Sequence, residues 1–224
     1  MTPRRSKPPQ DRAVATRTAI IKGAAKAFAQ HGYATATLAQ IARETTVTNG
    51  AFYFHFPTRE AVALAVIDNY QQIIEQLVGE ATNANDHAME VLFAVSASFA
   101  KRMRSDPIVQ AGIVLTTERT GLPRAVNAPY KTWIESVELA LRKASEEGDL
   151  RADLPIHDVA AHMVATFTGV QMVSAGLTNR RDLAARLRRS WAFLLPSITP
   201  ADRLASLLSS LERSFPPPAG AASS

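Results

Sequence analysis

Residues 37–59 read TLAQIARETTVTNGAFYFHFPTR, and they constrain the chain more than any other stretch. They open on a capping box, in which the Thr37 hydroxyl accepts from the backbone N–H of Gln40 and the Gln40 side chain reaches back. Leu38, Ile41 and Ala42 then give a short helix one apolar face. Residues 45–47 interrupt it, with Val47 as an apolar plug that sets the angle to the next helix. Thr48 caps that second short helix, which begins Asn49-Gly50-Ala51, small enough to approach a surface closely. Phe52 and Phe56 are predicted to point inward from it, Tyr53 and His55 outward. Pro57 ends this helix and Thr58 caps a third. Two short helices joined by a tight break place the second of them in the major groove of duplex DNA. The ligand class implied is therefore double-stranded DNA.

Charge agrees with that placement. Residues 1–60 hold nine Lys/Arg and three acids, while the whole chain carries a net charge of +5. A basic N-terminal quarter on a near-neutral remainder is the footprint of a protein that presents one end to a polyanion. A solvated basic face would look the same from charge alone. The motif decides between the two.

Beyond the motif, apolar residues recur at helical spacing. Ile21, Ala24, Ala25 and Phe28 form one stripe that Gly32 closes. Further stripes run through Val62–Leu77, Met89–Met103, Trp133–Leu141, Val159–Val170, Leu183–Leu194 and Leu204–Leu211. Asn83-Ala84-Asn85, Asp106-Pro107, Gly121-Leu122-Pro123, Gly148-Asp149, Gly176 and Pro196 read as breaks between helices. The pattern predicts an all-α protein of nine or ten helices: an N-terminal three-helix helix-turn-helix domain, then a C-terminal helical domain. Expected boundaries are a disordered basic arm at 1–11, the DNA-binding domain at 12–58, the second domain at 59–214 and a disordered tail at 215–224.

In the second domain, Trp133, Tyr70, Phe99 and Phe167 are large side chains on neighbouring stripes, with Thr166, Thr168 and Gln171 as polar groups beside them. An aromatic-lined cavity with a few polar groups suits a small apolar effector. The same spacing equally describes plain core.

Residues 14–64 resemble the DNA-binding domain of TetR-type repressors, most closely in the run AFYFHFPTRE. The resemblance implies a homodimer with two N-terminal helix-turn-helix units and a C-terminal ligand pocket. Its last two long helices, here expected at 159–176 and 183–194, form the dimer seam. It carries over Thr37, Thr48, Tyr53, His55 and Arg59 as phosphate contacts, and Asn49, Gly50 and Ala51 as the base-reading edge. Thr46 stands where the family usually has glycine. A β-branched residue forced to positive φ there is strained by roughly 1–2 kcal/mol, so a shifted turn is expected. Asn49 replaces a lysine usual in one branch and favours adenine over guanine.

DPIVQAGIVL, YKTW and FTGVQMVSAGL resemble the γ-butyrolactone receptor branch of that family, which implies that Trp133 stacks on the effector ring. The match departs from the branch around Tyr70 and Val170. A pseudo-receptor answering an antibiotic or its precursor is therefore the alternative. A DNA-coating or carrier protein without a specific operator is the rival outside that class.

No cysteine is present, so disulfides and Cys-ligated zinc are excluded. The chain holds no nucleophile motif, no phosphate loop and no His pair at metal spacing; His157 and His162 share no helix face. The expectation is a non-enzymatic protein with no cofactor and no metal. The absence of a leader pattern or membrane span sets the expected location in the cytoplasm, at the nucleoid.

Overall fold

Stripes at three- and four-residue spacing need a partner surface along one side of a helix, and the computed structural model supplies one for each. It describes residues 9–117 and 128–216, and all regular elements among them are helical. They are α1 (Pro9–Thr35), α2 (Leu38–Arg43), α3 (Asn49–His55), α4 (Arg59–Ala84), α5 (Ala88–Ser105), α6 (Pro107–Thr117), α7 (Ala128–Glu146), α8 (Ile156–Thr178), α9 (Leu183–Ile198) and α10 (Ala201–Ser214). No helix among the described residues is long and apolar enough to cross a membrane.

The order matches the stripes, with differences at the ends and breaks. Residues 1–8 of the expected arm and 217–224 of the expected tail lie outside the described residues, as do Gly121-Leu122-Pro123. Helix α1 already begins at Pro9, inside the stretch expected as an arm. Phe215, expected to open the tail, is buried. Gly176 and Pro196 do not break helices. Gly176 continues α8, at the modest cost a helical glycine carries. Pro196 sits in the last turn of α9, which ends two residues later, so its missing N–H removes one bond near an end that frays anyway.

By packing, the described chain divides into two units: 9–73 with 106–117, and 74–105 with 128–216. The division falls inside α4 and places α6 with the N-terminal helices. The expected boundary at 58 and 59 thus marks the end of the motif, not the end of the packing unit.

In the first unit, α1 buries Ile20, Ile21, Ala24, Ala25 and Phe28 and packs on α2, α3 and α6. Helix α6 is apolar on nearly all sides, with Ile108, Val109, Ala111, Ile113 and Leu115 buried, as expected of an interior helix. Gly112 is the point of closest approach: a Cβ there would lie 2.3 Å from Cγ of Tyr70. The base of the Tyr70 side chain therefore occupies the space a side chain at position 112 would need.

In the second unit, Met89, Phe93, Leu141, Leu183, Leu187, Leu195 and Leu211 make the core. Leu183, Leu187 and Trp191 face inward, while Phe193 on the same helix is exposed. Asp149 is wholly buried, and its Oδ1 accepts from Arg203 Nε at 3.0 Å and Nη2 at 2.7 Å.

The corner between α8 and α9 is tight. Asn179 and Arg180 both take positive φ, 49° and 61°. Asp182 closes it, accepting from Ser174 Oγ at 2.6 Å, Thr178 Oγ1 at 2.7 Å and Arg186 Nε at 2.7 Å. The Ser174 and Thr178 hydroxyls, then Arg186, hold the Asp182 carboxyl well below the usual carboxylate range. A depressed carboxyl contributes stability that is present above its ordinary titration range, about pH 4, and is lost as pH falls through that range toward its native value. Asp182→Asn should therefore be less stable than the wild type at about pH 6, and the gap should narrow at about pH 3. Denaturant midpoints at the two pH values check this; an unchanged gap would show that the charge is not what stabilises the corner.

Candidate nucleic-acid interface

The motif forms as its caps dictate. The Gln40 N–H donates to Thr37 Oγ1 at 3.2 Å, and the Thr37 N–H donates to Gln40 Oε1 at 2.8 Å, completing the capping box at the start of α2. The Ala51 N–H donates to Thr48 Oγ1 at 3.3 Å at the start of α3. The Ala61 N–H donates to Thr58 Oγ1 at 3.0 Å at the start of α4. Each bond satisfies a helix-terminal donor that would otherwise need water.

The turn between α2 and α3 is anchored from below. Thr45 Oγ1 donates to the Ala42 carbonyl at 2.7 Å. Gly23 of α1 lies beneath it, where a Cβ would meet Thr45 Cγ2 at 2.8 Å and the Glu44 carbonyl oxygen at 2.9 Å. Close approach of α1 to this turn thus needs glycine at position 23. Thr46 escapes positive φ, as the expected shift of the turn requires: among the described residues only Asn179 and Arg180 are non-glycine residues with positive φ. The turn runs through Glu44 in right-handed helical geometry, so Thr46 is never forced across.

One face of α2–α3 is core. Ile41 and Phe52 are fully buried, Phe56 is 3% exposed and Val47 is half-buried. The opposite face is open: Thr37, Thr48, Asn49 and Gly50 are exposed, Ala51 and His55 are half-buried, and Tyr53 is exposed with its ring edge-on to Phe52 at 5.5 Å. Phe54, absent from the residues expected at this face, is exposed to 85%. Its position opposite Phe52 on a helical wheel was the available signal.

Arg59 has a different setting from the one expected. Its Nη1 donates to the carbonyls of Tyr33 at 3.1 Å, Ala34 at 3.4 Å and Ala36 at 3.3 Å. Its guanidinium also lies 4.2 Å from the centre of the Tyr33 ring. It holds the end of α1, where Gly32 (φ 71°) interrupts the helix, against the start of α4. Arg59→Ala should cost about 1–2 kcal/mol of stability and leave the salt dependence of DNA binding unchanged. A slope flatter by about one unit would return Arg59 to the phosphates.

The residues expected at an effector site fall in both units. Tyr70 belongs to the first, buried under Gly112. The others lie in the second, where α7 packs on α5 and α8. Trp133 is half-buried, with Tyr130 edge-on at 5.3 Å. Phe99 and Phe167 face each other at 5.6 Å. Thr168 Oγ1 donates to the Val164 carbonyl at 2.8 Å, and Thr166 Oγ1 lies 3.3 Å from His162 Nε2. Gln171 is buried and accepts from Arg180 Nη2 at 3.5 Å.

A cleft of about 340 Å³ in the second unit lies elsewhere, lined by His87, Glu90, Asp149, Arg203, Ser210 and Arg213 among others. Beside it, His87, Glu147 and Asp149 each bring one ligand-type atom within 4.8 Å of the others. Electrostatics disfavour a cation there: the Ala88 N–H at the start of α5 already donates to Glu147 at 2.8 Å, and Arg203 covers Asp149.

Residues 20–66 match the family model for bacterial regulatory proteins of the tetR family, and residues 86–200 match that for the tetracyclin repressor-like C-terminal domain. The A-factor receptor protein of Streptomyces griseus is 32% identical over 84% of this chain, which spans 66% of that protein. A gamma-butyrolactone receptor described as ArpA-like has a solved structure with TM-score 0.75 and 26% identity, covering 92% of this chain and 98% of that one. CprB from Streptomyces coelicolor, solved with its biological operator sequence, gives TM-score 0.77 and 27% identity over 91% of this chain and 98% of that one.

Proposed function

The chain belongs to the TetR family of bacterial regulatory proteins, and on that premise we propose that it is a dimeric transcriptional repressor that holds a palindromic operator and releases it on binding a small apolar signal of the γ-butyrolactone or furan kind. The observation that carries the reading is the α2–α3 unit, capped at both starts, packed on α1, buried through Ile41, Phe52 and Phe56 and open on its far side. In this reading Thr37, Thr48, Tyr53 and His55 position the protein on phosphates, and Asn49, Gly50 and Ala51 approach base edges.

A second copy of the chain supplies the second half-site reader. Helix α8 supports this with an exposed stripe of Gly169, Met172, Val173, Gly176 and Leu177 at helical spacing, joined by Phe193 of α9 at 82% exposure. A Cβ added at Gly169 or Gly176 would meet nothing within 4 Å, so this stripe is open to a facing helix. The effector acts beside Trp133. Helix α4 is the transmitting element, since it starts at the Thr58 cap of the DNA-binding motif and runs without interruption into the second unit. A ligand shifts operator affinity only by its differential affinity for the two settings, typically about 1–3 kcal/mol.

Fluorescence anisotropy on a selected palindrome, titrated with lactones, furans and antibiotics, tests the reading. Wild type should bind and be released by one chemical class, while Trp133→Ala should bind the operator equally and ignore the signal. Loss of operator binding in Trp133→Ala would make that tryptophan structural, and indifference to duplex sequence would favour a coating protein.

A further inference from the structure

Phe54 is the most exposed large apolar side chain among the described residues, at 85%, and it sits on the recognition helix. At about 100° per residue, Phe54 projects roughly 160° away from both Phe52 and Phe56, the two side chains that hold this segment to the core. It projects between the directions of Gly50, about 40° away, and Ala51, about 60° away. The aromatic ring therefore stands at the centre of the face that the small residues leave open. His55 braces it edge-on at 5.5 Å.

We infer that Phe54 is a specificity-determining residue that reads a thymine 5-methyl group in each operator half-site. The inference rests on the DNA-binding reading of α3. A phenyl ring has no donor, so it makes no hydrogen bond to a phosphate. Of the groups that bases present in the major groove, the thymine methyl is the apolar one, and phenylalanine is among the side chains that pack on it. Asn49 and Gly50 supply no such surface, and Ala51 offers one methyl on a half-buried residue where Phe54 offers a whole exposed ring.

The test uses the duplex selected by the wild-type chain, with each thymine in turn replaced by deoxyuridine, which removes the methyl group and leaves base pairing intact. Wild type should lose about fourfold in affinity at one thymine per half-site and about fifteenfold when both are replaced, the effect of one and two buried methyl groups. Phe54→Ala should bind the unmodified site more weakly and show no further loss at those positions; Phe54→Leu should retain part of it. Because Phe54 is exposed, the melting temperatures of these variants should match the wild type. Equal losses in wild type and Phe54→Ala at every thymine, or no loss anywhere in the wild type, would overturn the assignment. Failure of the wild type to select any duplex would instead overturn the DNA-binding reading beneath it.

Discussion

Phe52→Ala is expected to cost about 3–5 kcal/mol of stability and to abolish operator binding, although Phe52 faces away from DNA. Helix α3 has seven residues, and Phe52 is the one buried among them. A helix of two turns is unstable alone, so its geometry comes from Phe52, from Phe56 buried at its C-cap and from the Thr48 cap. Removing the ring leaves a cavity against α1 and frees the recognition helix to leave its angle. Phe52→Leu keeps most of the volume and should cost less than about 1.5 kcal/mol, with operator binding largely kept. Denaturant titration and operator titration of both variants check the pair; if Phe52→Ala binds the operator as wild type does, α3 is not held in the way described.

Trp191→Ala is expected to destabilise the second unit by about 3–5 kcal/mol. The indole is 7% exposed, meets Phe93 edge-on at 4.9 Å and donates from Nε1 to Ser96 Oγ at 3.3 Å. Its loss removes a large packed surface from between α5 and α9 and leaves the Ser96 hydroxyl with one bond fewer. Trp191→Phe should recover most of the packing and none of the hydrogen bond. Trp191→Ala with unchanged stability but weakened self-association would place this tryptophan at a chain–chain seam rather than in the core.

The contrast between these two residues illustrates what is legible in the chain. Phe52, Phe56 and the caps at Thr37, Thr48 and Thr58 were readable because each depends on partners three or four positions away. The stripe at Leu183, Leu187 and Trp191 was readable as apolar, but a stripe says that a face is covered, not by what. Its cover is the same chain; an uncovered apolar face lies on Met172, Val173 and Leu177, within and just past the stretch 159–176 expected at a seam, and on Phe193 of the stretch 183–194. The setting of Arg59 was hidden for a related reason. Its carbonyl partners lie 23 to 26 residues upstream, beyond the reach of any local rule. At Thr46, where the family usually has glycine, the turn reaches α3 without positive φ, so the shift expected from a β-branched side chain was legible. The effector residues stand differently. Their types were evident from the aromatic stripes, but aromatic stripes serve core and pocket alike, and polar groups such as Thr168 and Gln171 bond within their own neighbourhood.

Whether α3 reads sequence from a twofold pair of chains is decided by selecting duplexes from a randomised pool at near-physiological salt. Enrichment of an inverted repeat is expected, its half-site centres about one helical turn apart or a multiple of it, with thymine fixed at one position in each half. A selected pool with no common motif, bound no more tightly than the starting pool, would contradict the assignment of α3 as a recognition helix.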